Sequence, residues 1–479
     1  MPKDSCVISL SAKYHGEYDV IVCGGGTAGC VAALAAARNG AKVLLLESGH
    51  CLGGMLTCGN AGLTKFVMHG VNAEEQHEIN KELAAAPEKV QIVGGIPLEF
   101  ANTLIGSGAA LENHGTGASY VYPDVHTFKL YLFQTLIDAG IRILLHSQVF
   151  QVIKNENRIE GVVYLTKEGV FVAYGKYFID CTGDGDVSAL SGVEYVVGAS
   201  EHDSIVKDGL AEIGLLHAPG AMYRVGGVNF TSFVEFLKEH PDKFVPHMFG
   251  QMGMEELLES FEKEEAIELF CRYRNNGRFQ VYNNPQKGIM VGCINIRTKN
   301  VNGLLVEDQT LAEYEVLMVA TEQLQNIKKE YPGFEEAYII DVPQAGIRET
   351  RHIMGEYLLT IRDILTNRDF EDCIGFSSHP VDIYPMPNEC KDIESAKRAW
   401  FQIPYRSLLA KDVDNLLLAG RLISATREAS GCIRPTVCCM VTGEAAGTAA
   451  ALLAAAGGAA KNMDIATLRD KLKKSNVKC

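Results

Sequence analysis

The sequence predicts an α/β fold: a parallel sheet with a β-meander crossover, joined to a separate α+β unit. Three observations predict it. A short apolar run at 18–23 feeds a glycine-rich turn and then an alanine-rich helical stretch. A second apolar run at 42–46 ends in an acid at 47. Residues 201–404 lack the strand–helix–strand rhythm, which sets them apart as the α+β unit.

The first unit is the most telling. Tyr18–Cys23 is apolar enough for a buried parallel strand. Gly24-Gly-Gly-Thr-Ala-Gly29 follows and fits GxGxxG; Cys30–Asn39 continues as a helix, and Gly40 stops it. Lys42–Leu46 is the second strand, ending in Glu47. A strand–turn–helix GxGxxG with an acid about 20 residues on is the Rossmann-type dinucleotide signature. Gly24 permits the tight turn, Gly26 admits the pyrophosphate to the backbone, and Gly29 lets helix and strand pack closely. Thr27 and Ala28 open a helix whose free N–H groups and partial positive charge suit phosphates. Glu47 accepts from the adenosine ribose hydroxyls and disfavours a 2′-phosphate; Ser48 joins it.

Further along, Tyr122–His126 opens a helix that runs to Ala139 and stops at Gly140, and Ile141–Leu145 is a strand. Val149–Lys154 and Gly161–Leu165 read as an antiparallel pair, and Gly169–Tyr174 extends it to a meander. Tyr177–Asp180 is a strand that ends in a Thr182-Gly183-Asp184 turn. Asn415–Leu418 is another, ending in Ala419-Gly420-Arg421, and Pro435 opens a helix from about Thr436 to Ala455. One discontinuous domain then takes 1–70, 115–200 and 405–479; residues 71–114 cap the active site; 201–404 form the substrate domain; and 1–17 are a polar extension.

Composition narrows the function. At roughly 100–200 residues per domain, 479 residues make two or three units, and 47% apolar content permits a large core. A net charge of -15 argues against nucleic acid and anionic membrane surfaces as partners. The most apolar stretch, 445–460, is short and small in side chain, which favours a packed helix over a membrane span. The first residues have no long apolar run of the signal-peptide kind, so a cytoplasmic location is expected. The 14 cysteines include no CxxC, which supports no metal site, and they are expected to be mostly buried and reduced.

A single Rossmann motif serves NAD or FAD, and three further segments point to FAD. Leu52-Gly53-Gly54-Met55-Leu56-Thr57 lets the chain pass close to the cofactor after Glu47. Thr182, Gly183 and Asp184 make a tight turn beside the adenosine end. Gly420 and Arg421 precede a helix whose N-terminus, at Thr436 and Val437, would stabilise the negative charge of reduced flavin. Val149 completes the cofactor-binding set.

These segments, with DCTGDGD at 180–186, GIRETRHIMGEYLLT at 346–360, HPVDIY at 379–384, IPYRSLL at 403–409 and the run 416–450, resemble the glutathione-reductase-like flavoproteins. Within them the chain resembles the FAD-dependent oxidoreductase family, from about residue 18 to 453. The resemblance implies FAD, a small-molecule substrate and an external electron donor or acceptor. Related fumarate reductase and succinate dehydrogenase flavoproteins often carry a His near the first loop that bonds covalently to FAD. Here Thr57–Gly62 has no His, so non-covalent FAD is expected, with Cys58 a buried inert thiol.

Catalytic candidates fall in the same segments. Arg348 and Arg351, three apart, share a helix face and suit a carboxylate clamp, or else pair with Glu349 and Glu356. His352 reads as a packed histidine or a base. His379, in a loop kept extended by Pro380, is the first choice for general base, against a plain solvent-exposed role. Tyr384 and Tyr405 are placed to share the proton role. Arg427, Arg434 and Thr436 should face the flavin or its substrate, whereas Asp184 and Asp186 should hold backbone. The leading expectation is a dehydrogenase passing hydride from a hydroxyl-, amine- or C–H-activated metabolite to FAD. An enoate-type C=C reductase and a non-catalytic flavoprotein partner are the alternatives.

Overall fold

The computed structural model of the protein describes residues 9–64, 66–70, 73–113, 120–245, 254–273, 277–383 and 400–479. Its larger sheet has seven strands. Lys13–Cys23 lies at the centre, pairing in parallel with Val43–Leu46 on one side and Gly169–Asp180 on the other. Arg142–Leu144 extends the parallel run beyond Val43–Leu46. Gly169–Asp180 divides its outer edge: its first half pairs antiparallel with Arg158–Thr166, and its end pairs in parallel with Leu416–Leu418. Gln148–Asn155 closes the meander.

Two expectations change here. Residues 13–17 belong to the central strand, pairing as far as Lys13 with Phe171, rather than to a polar extension. The runs at 169–174 and 177–180 are one strand, because both pair in continuous register with Lys13–Cys23.

Helix Thr27–Arg38 and helix Thr436–Ala456 pack together on this sheet. The second helix is long and apolar enough to cross a membrane, yet 89% of that window is buried inside the protein. Its alanine–glycine composition serves the contact. A Cβ at Gly443 would fall 2.4 Å from the Ala28 carbonyl oxygen, and one at Gly447 would fall 2.1 Å from that of Ala32. The two helices meet backbone to backbone.

The second sheet has six strands, in the order 244–245, 268–273, 277–283, 290–295, 220–226 and 338–341, all antiparallel. Helix Val306–Glu330 covers it with Ala312, Val316, Ala320, Leu324 and Ile327. The apolar core between them runs from Ala221 to Ala345. From Ile353 onward the buried side chains join the larger core, as do those of helix Gly95–Gly106. Core membership therefore divides the chain near 345, well before 405.

Candidate functional site

The glycine-rich turn is built by packing. A Cβ at Gly24 (φ +101°) would strike the Cys181 carbonyl oxygen at 2.3 Å, and one at Gly29 would strike that of Gly24 at 1.8 Å. Gly26 differs: an added Cβ would meet no atom within 4 Å, so its face is open. It is the N-cap of helix Thr27–Arg38, with no side-chain cap, which leaves the first N–H groups aimed outward. Glu47 accepts from the Gly25 N–H at 2.5 Å and the Gly49 N–H at 2.6 Å, which fixes its carboxylate beside the turn.

Gly24, Gly26, Thr27 and Glu47 line a cavity of about 490 Å³. Of the expected cofactor-binding residues, Gly24, Gly26, Thr27, Ala28, Glu47, Ser48, Gly54, Met55, Val149, Thr182, Gly183, Asp184, Gly420, Arg421, Arg434 and Thr436 all line it. Gly29 and Val437 lie behind the wall, in the packing. Gly53 stands under the loop, its N–H donating to the Gly25 carbonyl at 2.8 Å. Helix Thr436–Ala456 brings its N-terminus to the far end, again without a side-chain cap. Gln309, Glu313, Gln344, Ala345 and Ile347 add a wall from beside the second sheet, which the sequence did not single out.

The acidic turn works differently from expectation. Asp180 holds it, accepting from the N–H and hydroxyl of both Thr182 and Ser188. Asp184 instead pairs with Arg421 and accepts from the Thr350 hydroxyl at 2.7 Å. Asp186 pairs with Arg351 at 2.8 Å.

The arginine pair also needs correction. Residues 346–350 are not helical, and Arg351–Ile353 is a strand pairing with Tyr195–Val197, so Arg348 and Arg351 share no helix face. Arg351 donates to the Asp184 carbonyl at 2.7 Å and lies over the Tyr195 ring. Arg348 turns the other way, to the Ala218 carbonyl. Tyr405 is buried in the larger core, its hydroxyl donating to the Ala460 carbonyl at 3.1 Å and its acidity suppressed by burial, so it takes no part at the cavity. Tyr384 lies outside the described residues. His352 is packed against Glu349 at 2.8 Å. His379 sets its Nδ1 against the Pro380 carbonyl at 2.7 Å and lies off the cavity wall.

Arg434 reaches beyond the cavity into a charged cluster. It pairs with Asp382 and donates to the Asp382 carbonyl at 3.0 Å, while His217 Nε2 lies 3.0 Å from that same carbonyl. Burial, then Arg434 and Arg348, hold the His217 imidazole well below its ordinary value, so it is neutral. Burial alone would raise Asp382, but Arg434, His379 and Arg348 outweigh it and keep the carboxyl ionised. Behind them, fully buried Arg427 meets Glu349 at 3.2 Å; it is a core ion pair rather than a cavity residue. His217 escaped the sequence because nothing local marks it: it follows two leucines in a stretch without periodicity.

Cys51 and Cys58 bring their side chains together across the loop, and Cys58 is half-buried rather than fully buried.

The site fits FAD on its own chemistry. An open glycine face and an uncapped helix N-terminus suit a pyrophosphate, a fixed carboxylate suits a ribose, and a second helix N-terminus suits an electron-rich ring. The family comparison agrees. The family profile described as FAD dependent oxidoreductase matches residues 19–472. The digeranylgeranylglycerophospholipid reductase of Picrophilus torridus is 34% identical over 146 residues, 30% of this chain and 34% of that protein. The tRNA uridine 5-carboxymethylaminomethyl modification enzyme MnmG of Geobacter sulfurreducens is 32% identical over 172 residues, 36% of this chain and 25% of that protein. The chain thus spans about a third or less of the length of these relatives. A geranylgeranyl bacteriochlorophyll reductase-like structure from Thermoplasma acidophilum aligns over 97% of this chain and 85% of its own, at 14% identity and a TM-score of 0.46. The chain is an enzyme with FAD as its cofactor, and it belongs to the FAD-dependent oxidoreductase family.

Proposed function

We propose that the larger sheet with its meander is a Rossmann-type FAD-binding unit, and that the second sheet carries a substrate domain. FAD lies along the cavity without a covalent bond, its adenosine toward Glu47, Ser48 and Val149 and its flavin toward Thr436 and Arg434. The flavin supplies hydride exchange, and this chain supplies binding, orientation and proton handling.

The observation that carries the reaction is Arg434, which lines the cavity and also holds Asp382 and His217. Its guanidinium orients a polar substrate group at the flavin end. Neutral His217, off the cavity wall, shares the Asp382 carbonyl with Arg434 and so positions the guanidinium rather than taking the proton itself. The reading is therefore a dehydrogenase of a small polar metabolite with an external electron acceptor. The reductase names among the relatives favour a second reading, hydride donation by reduced enzyme to a C=C bond.

An anaerobic screen tests both. Loss of the flavin absorbance band with hydroxy or amino metabolites supports the dehydrogenase. Enzyme reduced chemically and reoxidised by fumarate-like acceptors, but not bleached by those metabolites, supports the reductase. His217→Gln should slow bleaching while retaining FAD; an unchanged rate removes His217 from the positioning of Arg434.

A further inference from the structure

Helix Val306–Glu330 covers the second sheet with one face and turns the opposite face to solvent. Positions 307, 310, 314, 317, 321, 325 and 328 recur three or four residues apart, which places them along one stripe. All seven are exposed, with Tyr314 at 63% and Leu317 at 53%. Leu305, Val306 and Leu311 flank the stripe and are exposed too.

The middle of the stripe asks little of water. The Thr310 hydroxyl donates to the Val306 carbonyl at 2.7 Å, and the Thr321 hydroxyl donates to the Leu317 carbonyl at 2.8 Å. Both donors are satisfied within the helix. Positions 310, 314, 317, 321 and 325 carry no charge, although 22% of the chain is charged. Charge returns only at the two ends, as Glu307 and Lys328. The acids beside the stripe are already engaged: Glu313 accepts from the Ala345 N–H, and Glu322 pairs with Arg297. An exposed apolar surface with a polar rim marks a place of contact.

The end charges identify what fits there. An antiparallel copy of the same helix, related by a two-fold axis beside Leu317, sets Glu307 against the partner's Lys328. The same register sets Thr310 against the partner's Gln325, Tyr314 against the partner's Thr321, and Leu317 against its own copy. Acid then meets base at both ends of the pair. A parallel copy would instead set acid on acid and base on base. Lys328 Nζ donates to the Ala337 carbonyl at 2.9 Å, and an ammonium has further N–H groups for a carboxylate.

We propose that the chain self-associates as a two-fold dimer through the outer face of helix Val306–Glu330, with the two helices antiparallel. The contact uses the same surface on both copies, so it closes on itself. One helix face is a small interface, which suits association in the micromolar range. The same helix gives Gln309 and Glu313 to the cavity wall, so the dimer stands two cavities on one helix pair.

Sedimentation equilibrium of the full chain tests the pairing. The mean mass should climb from one chain of 52.2 kDa toward two as concentration rises through the micromolar range. Tyr314→Glu and Leu317→Glu should each weaken association by at least about tenfold. Their circular-dichroism melts should match the parent's, because both side chains face solvent. Glu307→Lys and Lys328→Glu should each weaken it by at least about threefold, and the double variant should associate like the parent. A parent chain that stays monomeric across the range would overturn the proposal, as would a dimer left intact by Tyr314→Glu and Leu317→Glu. A double variant no tighter than the single ones would overturn the antiparallel pairing. A monomer that binds neutral phosphatidylcholine vesicles, and loses them with Tyr314→Glu, would overturn the dimer in favour of a lipid surface.

Discussion

Gly26 and Gly29 stand three residues apart in one motif, and the structure separates their duties. Gly26 has an ordinary extended backbone, φ -71° and ψ -165°, and open space where a Cβ would go. Gly26→Ala should therefore fold with a melting temperature close to that of the parent chain, yet lose FAD, because the added methyl occupies the face left to the phosphates. Gly29→Ala forces a carbon into the Gly24 carbonyl and should cost about 1–3 kcal/mol of stability as well as the cofactor. Circular-dichroism melts beside flavin absorbance distinguish the two; equal destabilisation would defeat the assignment. A second residue-scale prediction concerns Glu444. Burial raises its carboxyl from 4.5 to about 8, against a hydrogen bond from the Ile96 N–H at 2.9 Å. Below the lower value both folded and unfolded chains hold the proton. Between the two values only the folded chain does, so stability falls as pH rises and then levels off. Glu444→Gln keeps an acceptor for Ile96 without the charge. Its stability advantage over the parent should grow between about pH 5 and pH 8, by up to a few kcal/mol. Denaturant melts across that range would show a flat difference if Glu444 were ionised throughout.

At the scale of elements, the contact between helices Thr27–Arg38 and Thr436–Ala456 decides how the cavity is assembled. Both N-termini line it, and the axes are held at backbone distance by Gly443 and Gly447. Gly447 is a full turn beyond Gly443 and away from the cavity wall. Gly447→Ala should still lower stability by about 1–3 kcal/mol and weaken FAD binding, because the helices must part to admit the methyl. Normal melting with normal FAD affinity would show that the contact is not what sets their spacing. The sequence made the apolar character of this helix plain but could not say what its glycines face. The same limit governs the rest of the site. The phosphate turn was legible because backbone geometry demands glycine at fixed spacing, and helix Val125–Asp138 because Gly140, at φ +76°, marks its stop. Arg348 and Arg351 misled because a three-residue spacing imitates a helix, whereas here pairing with Tyr195–Val197 draws Arg351 into a strand. The cluster of His217, Asp382 and Arg434 draws on three distant segments, and long-range convergence leaves no periodic trace.

On the scale of the whole molecule, the cavity belongs to both apolar cores. Gly24, Gly26–Ala28, Glu47 and Thr182–Asp184 stand on the larger core, while Gln309 and Glu313 come from the helix that covers the second sheet. Glu313 also accepts from the Ala345 N–H at 3.1 Å, which ties that helix to the cavity-lining segment 344–347. A cofactor bound there contacts elements of both cores, so its binding energy stabilises both against opening. With free FAD at a hundred times its Kd the gain is about 2.7 kcal/mol. Hydrogen exchange locates that gain. Amides early in helix Val306–Glu330 should slow on adding FAD along with those of helix Thr27–Arg38, although the two helices are nearly 300 residues apart in sequence. If only the second set slowed, the cofactor would be held by the larger core alone, and the wall at Gln309 and Glu313 would have to be assigned to the substrate instead.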